Sequence, residues 1–310
     1  VPTNPSKLDR RRFLAATAAS ALASTVLNSR SALAAGGESS NHKICVFTKP
    51  FSSLAFDELA DKIAELGFDG IEAPIRKGGH VEMEAIADEL PKLVEALKKR
   101  NLEITLVASE VNDPDDKLTA KFLRTLGTLG IARYRMKYFN YDFKQSLSDQ
   151  WEQWSPKLQQ LAGMNHEYGV QGLYQNHAGT KYLGASVWDL REVLGDIEPD
   201  DLGVAFDIRH ATAEGTSTWP VAFRAIEPHL GMVYVKDFAI ENKKVTNVPL
   251  GEGYVDKSFF QMLSDIDYSG PISLHEEYLD HRDPKLVPDH LAAIKKDLAV
   301  LKGWLKQTAN

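Results

Sequence analysis

Cysteine is nearly absent from this chain. The only one is Cys45, inside a short apolar run, so no internal disulfide can staple the fold. Long hydrophobic runs are also missing: nothing in the sequence reaches the ~20 mostly apolar residues that a membrane span needs. No Gly-x-Gly-x-x-Gly follows the first apolar run and no P-loop is present, which argues against a dinucleotide or nucleoside-triphosphate fold. There is no basic stripe and the net charge is −7, so nucleic acid is not an expected partner. What the chain does have is ordinary globular content: 43% apolar and 25% charged residues, enough to bury a core without covalent help.

The N-terminal segment reads differently from the rest. Arg10-Arg11-Arg12-Phe13-Leu14 precedes an uncharged stretch of small and apolar residues over 15–27, and Ala32-Leu33-Ala34 follows as an A-x-A cleavage pattern. A charged region, an apolar region and a small-residue exit make a signal peptide. The paired arginines before Phe-Leu resemble a twin-arginine export signal. The expected organisation is a twin-arginine signal peptide at 1–34, a polar linker at 35–42 and one domain at 43–306, with a periplasmic or extracellular destination and no membrane span after processing.

From residue 43 onward, strand and helix signals alternate eight times. Strands are expected at 43–47, 69–73, 102–108, 132–138, 170–175, 202–207, 231–237 and 271–274. Helices are expected near 55–66, 84–100, 117–129, 147–168, 187–194, 220–226, 257–266 and 287–305. Pro91 is expected to break or restart the second helix. Glu241-Asn242-Lys243-Lys244 marks a turn between two apolar pieces, read as an inserted hairpin over 238–248. Eight β-then-α units predict an α/β fold of a single closed (β/α)8 barrel, a TIM barrel, which typically takes ~250 residues.

Polar clusters recur at the ends of the later strands: Tyr174-Gln175-Asn176-His177, Phe206-Asp207-Ile208-Arg209-His210, Tyr234-Val235-Lys236-Asp237 and Leu274-His275-Glu276-Glu277. They lie roughly 30–40 residues apart, about the length of a strand plus its return helix. One repeated unit therefore delivers ionisable groups to the C-terminal mouth of the barrel. Glu72, Arg135 and Lys137 join them from the first half. Alternation puts Gln175 with His177, Tyr234 with Lys236, His275 with Glu277, and Arg135 with Lys137 on common sides.

Asp207 and His210 suit either a divalent metal or a sugar hydroxyl; alternatively, Asp207 caps the next turn. Lys236 either pairs with Asp237 or stabilises an anion or enolate oxygen. His275 or Glu277 can act as a base, and Glu276 reads as a solvated rim charge. Gly251-Glu252-Gly253 reads as a loop nest. Trp151, Trp154 and Trp188 read as packing residues, and Trp219 as a loop residue.

With these clusters in order, the chain resembles the sugar phosphate isomerase/epimerase family, the xylose-isomerase-like TIM barrels. The resemblance covers about residues 43–304. It rests on a Phe-Asp-Glu-Leu-Ala helix after the first strand, Gly70-Ile71-Glu72, Asn176-His177, Phe206-Asp207-Ile208-Arg209-His210, Val235-Lys236-Asp237, Pro249-Leu250-Gly251-Glu252-Gly253 and Ile272-Ser273-Leu274-His275-Glu276-Glu277. It implies an enzyme of the isomerase/epimerase or keto-sugar lyase class, acting on a small carbohydrate by proton abstraction next to a carbonyl. Homo-oligomers fit this reading.

Metal-dependent members use a Glu, an Asp, a His and a second Glu at the ends of strands five to eight. Asp207 matches the Asp, with His210 as its companion. Gln175 stands in place of the first Glu, Tyr234 in place of the His, and His275 in place of the last Glu. The site expected from the resemblance has Lys236, His275, Glu277, His177 and Lys137 as catalytic groups. Glu72, Arg135, Gln175, Asn176 and His210 would bind substrate, and Asp207, His275 and Glu277 would hold a divalent ion (Mn, Mg or Zn). The alternative is a catalytically altered sugar-binding barrel without isomerase activity.

Overall fold

The computed structural model describes residues 42–308 except residue 243. The leader expected at 1–34, and all of the 35–42 linker but His42, lie outside the described residues. Seven parallel strands come first: β1 (Ile44–Phe47), β2 (Gly70–Pro74), β3 (Glu103–Ala108), β4 (Arg133–Arg135), β5 (Gln171–Gln175), β6 (Leu202–Asp207) and β7 (Leu230–Val235). The antiparallel hairpin β8 (Asp237–Glu241) and β9 (Lys244–Val248) follows, then β10 (Ile272–Leu274). The sheet closes in the order β1-β10-β7-β6-β5-β4-β3-β2, which is the expected (β/α)8 barrel with the expected hairpin inserted after β7.

The helices cover the outside through apolar faces. In α1 (Phe56–Leu66), Leu59, Ala60 and Ile63 are buried at helical spacing. Burying Leu59 and Ile63 contributes about 1.5–3 kcal/mol each. Asp57 and Glu58 sit in its first turn, where the helix dipole favours anions. Gly67 ends the helix at φ 78°, a left-handed cap that costs glycine little. The others are α2 (Ile86–Lys98), α3 (Thr119–Leu129), α4 (Leu147–Tyr168), α5 (Trp188–Leu194), α6 (Ile208–Gly215), α7 (Trp219–Ile226), α8 (Ser258–Asp265) and α9 (Val287–Thr308). Among the described residues no helix is long and apolar enough to cross a membrane.

Three expectations change. Pro91 lies inside a continuous α2 rather than restarting it; it forfeits one N–H bond, and the packing of Leu90, Leu93, Val94 and Leu97 outweighs that loss. Asp207 does cap the next turn, the alternative given for it, by accepting the backbone N–H of His210, but that turn runs on into a helix, α6, that was not expected. Trp219 is the first residue of α7 and is buried, not a loop residue.

Inside the barrel, Cys45, Leu106, Leu173, Ala205, Met232 and Tyr234 form a separate apolar cluster. The lumen is thus a packed plug, and polar chemistry is confined to the mouth above it. The strands are buried on both faces, as parallel strands under helices must be.

Candidate active site

The strand ends converge on a mouth cavity of about 200 Å³. Glu72, Arg135, Gln175, His177, Lys236, His275 and Glu277 all line it, so five strands deliver the residues that the sequence singled out. At its centre is Lys236, immediately after β7 and only 5% exposed. Its Nζ lies 2.8 Å from Glu277 Oε2 and 3.3 Å from Asp207 Oδ2. Burial alone would lower the pKa of this ammonium, but the two carboxylates overcome burial and hold it above the ordinary lysine value. Burial likewise pushes Glu277 up, and Lys236 and His275 pull it well below the usual carboxylate range. A permanent cation therefore sits in the mouth between two carboxylates.

Beside it is a carboxylate–imidazole pair. Glu72 is fully buried, next to a register shift between Ile71 and Glu72 that re-aims the strand. Its carboxylate accepts from Ser273 Oγ at 2.7 Å and Tyr234 Oη at 3.2 Å. His275 Nε2 lies 2.8 Å from Glu72 Oε2, and Arg135 Nε lies 3.9 Å from Oε1. Burial would raise the Glu72 carboxyl, but His275, Arg135 and Ser273 together leave it lowered and ionised. An ionised Glu72 makes Nε2 of His275 the donor. Among the described residues Nδ1 of His275 has no hydrogen-bond partner, and it lies 4.0 Å from Glu277 Oε1.

Across the mouth, His177 Nδ1 donates to the Ala178 carbonyl at 2.8 Å. Burial and the neighbouring Lys236 lower its pKa, so the ring is neutral at neutral pH with Nε2 as an acceptor. The ring packs against Tyr182 and Tyr138 at 4.4 and 5.0 Å between centroids. Behind it, His210 stacks at 3.9 Å. His210 accepts Arg209 Nη1 at Nδ1, and burial and nearby cations push its pKa well below 6.5.

Several expected roles change. His210 and Asn176 do not line the cavity. Asn176 binds the Asp207 backbone at both N and O (2.7 and 3.0 Å), clamping β5 to β6. Lys137 is exposed and outside the mouth, because β4 ends at Arg135 and strand alternation stops there. Asp237 does not pair with Lys236. Its carboxylate accepts the backbone N–H groups of Phe238, Gly251, Gly253 and Val255 at 2.8–3.1 Å. The Gly-Glu-Gly loop is thus a nest around the protein's own Asp237, and a Cβ at Gly253 would come 2.3 Å from that carboxylate. Glu276 is buried, not a rim charge, and hydrogen-bonds His290. Trp188 is 58% exposed rather than packed.

The expected metal trio Asp207, His275 and Glu277 does not assemble. Lys236 Nζ clasps both carboxylates, Gln175 Nε2 donates to Asp207 Oδ2 at 2.8 Å, and His275 Nε2 is committed to Glu72. Among the described residues, no group of three His, Cys, Asp or Glu side chains is arranged to hold a metal ion. A divalent cation placed among these ligands would meet an ammonium and an amide N–H, so these residues do not fit one.

Phe47, Lys49, Arg76 and Tyr138 also line the mouth and were not singled out from sequence. Tyr138 donates to Gln175 Oε1 at 2.5 Å. Lys49 and Arg76 each stand two residues beyond a strand end, and that position was the available signal for them.

Among solved structures, the chain is similar to 3-keto-D-glucoside 4-epimerase from E. coli, with 18% identity and TM-score 0.65 over 86% of this chain and 99% of that one. It is also similar to D-psicose 3-epimerase from Clostridium cellulolyticum H10, with 14% identity and TM-score 0.62 over 83% and 96%. A third likeness is the probable 3-DHS dehydratase of Bacillus anthracis, with 16% identity and TM-score 0.61 over 84% and 98%. At these identities the likeness is one of fold. No curated protein sequence matches the chain. The family model described as xylose isomerase-like TIM barrel matches residues 60–304, and with the closed barrel in hand the chain belongs to that family.

Proposed function

We propose that this barrel isomerises or epimerises a small keto sugar by removing and returning a proton next to the carbonyl, with Lys236 in the place of a metal. The observation that carries this reading is the buried Lys236 ammonium, fixed by Asp207 and Glu277 at the mouth. A base takes the proton from the carbon beside the carbonyl. The electron pair moves to the carbonyl oxygen, and a Lys236 N–H hydrogen-bonds the enolate formed. Two groups suit the base role: Nδ1 of His275, oriented by Glu72, and Nε2 of His177, oriented by the Ala178 carbonyl. They follow β10 and β5, and Lys236 follows β7 between them in the barrel order. Two bases flanking one electrophile permit proton removal on one side and return on the other. The 3-keto-glucoside and D-psicose epimerases among the structures of similar fold support a carbohydrate substrate.

Solvent exchange tests the reaction. Neutral and acidic keto sugars are incubated with the enzyme in D2O, and the C–H signals beside the carbonyl are followed by NMR. At least one sugar is expected to take up deuterium, and Lys236→Met should slow uptake by about 10²–10³-fold, the usual cost of losing an oxyanion donor. Absence of enzyme-dependent uptake across the panel would sink the proposal.

A further inference from the structure

A second cavity, about 600 Å³, adjoins the mouth and is lined by Lys49, Arg76, Lys77, His281 and Arg282 among other residues. Lys49 and Arg76 line both spaces, so the two cavities share a wall. Among the described residues no Asp or Glu lines the second one, although the chain as a whole carries a net charge of −7. Arg282 already pairs with Asp280 at 2.9 Å. Lys49 and Arg76 are different. Both are half-buried, and among the described residues neither side chain makes a hydrogen bond or an ion pair. The Arg76 guanidinium lies 5.9 Å from the centroid of the Phe47 ring, which fixes it without neutralising it.

Burial and the nearby Arg135 lower the pKa of Arg76. Burial lowers that of Lys49, and Arg76, Lys236 and Arg135 add to the effect against Glu277. Half-buried cations that repel one another and have no carboxylate in direct contact are costly to hold in place. A bound anion removes that cost, and the planar guanidinium fork suits a carboxylate or phosphate.

We infer that this basic cavity binds the anionic end, carboxylate or phosphate, of the same substrate whose carbonyl meets Lys236, making the enzyme one for acidic keto sugars. The carbonyl half of that statement rests on the proposed function; the anion site does not. A two-part space suits a chain-length substrate with its reacting carbons in the narrow mouth and its charge in the wider cavity.

Direct binding tests this on the full chain. Calorimetric titrations at low ionic strength use inorganic phosphate, D-gluconate and the neutral D-glucitol. At least one anion is expected to bind more tightly than D-glucitol. Arg76→Met and Lys49→Met should each weaken it about tenfold, the size of one charge-assisted hydrogen bond. Arg76→Lys should recover part of the loss, which separates a lost contact from a misfolded variant. Binding of gluconate alone identifies a carboxylate, binding of phosphate alone a phosphate, and either supports the site. Equal affinity for the anions and D-glucitol, or anion affinity unchanged in Arg76→Met and Lys49→Met, overturns it. Because the readout is binding, a failed deuterium exchange leaves this result standing, and a failed anion titration leaves the exchange chemistry standing.

Discussion

Lys236 shows how one residue's partners decide its role. Adjacent residues at a strand end point to opposite sides, so Lys236 turns into the mouth while Asp237 turns into the loop nest. Chain adjacency suggested a pair between them, and side-chain direction forbids it. The ammonium instead balances Asp207, which is fully buried, and Glu277. Lys236→Met leaves both carboxylates without that charge. A stability loss of about 3–5 kcal/mol is expected in urea unfolding, the usual cost of breaking a buried ion pair from one side. Adding Asp207→Asn should restore part of it, since the double variant buries one charge fewer. A single variant as stable as the parent would falsify the charge-balancing role. Lys236, His275 and Glu277 were legible in sequence because each follows a short apolar strand. The partners of these residues were not, because the Glu72–His275 contact spans 203 positions.

At the scale of elements, the loop after β9 is held from two directions. Asp237 gathers its amides, and Asp297 of α9 accepts Leu250 N at 3.1 Å and Tyr278 Oη at 3.2 Å. The β9 residue Asn247 accepts Arg209 of α6 and donates to the Glu277 carbonyl, tying the hairpin to the mouth. Burial, with Glu276 and Glu252 nearby, raises the Asp297 carboxyl from 3.8 to about 6. Between those values the folded protein keeps a proton that the unfolded chain has released. Stability therefore falls as pH rises from 3.8 to about 6 and is level above that on this group's account. Asp297→Asn keeps an acceptor for Leu250 and carries no charge. It should flatten that slope and raise stability at neutral pH by about 1–2 kcal/mol; thermal melts across the pH range check this, and an unchanged slope counts against it. Element types were readable from apolar spacing. The ends were less so: β4 stops three residues early and so sends Lys137 to solvent, and α6 is nucleated by Asp207 as its cap.

For the whole molecule, closure of the barrel makes stability a collective property. Cys45 belongs to the lumen cluster and is fully buried. Burial, with the negative charge of Glu72 nearby, pushes its thiol well above the ordinary value. A thiol reagent should therefore leave native protein unmodified and react only as fast as the barrel opens globally. Labelling followed against urea concentration should track loss of the folded signal; rapid labelling of native protein would show that the lumen opens locally. By itself the sequence determined the eight units, the hairpin and the strand ends that carry polar side chains. Those features follow from local periodicity and turn chemistry, which each segment contains on its own. Only the tertiary structure decided that Lys236 fills the space between Asp207 and Glu277, that Glu72 orients His275, and that Lys49 and Arg76 stand unpaired at a second cavity. Those outcomes depend on which strands become neighbours when the barrel closes, and on the charge each side chain then meets. Both are set by contacts between residues far apart in the chain.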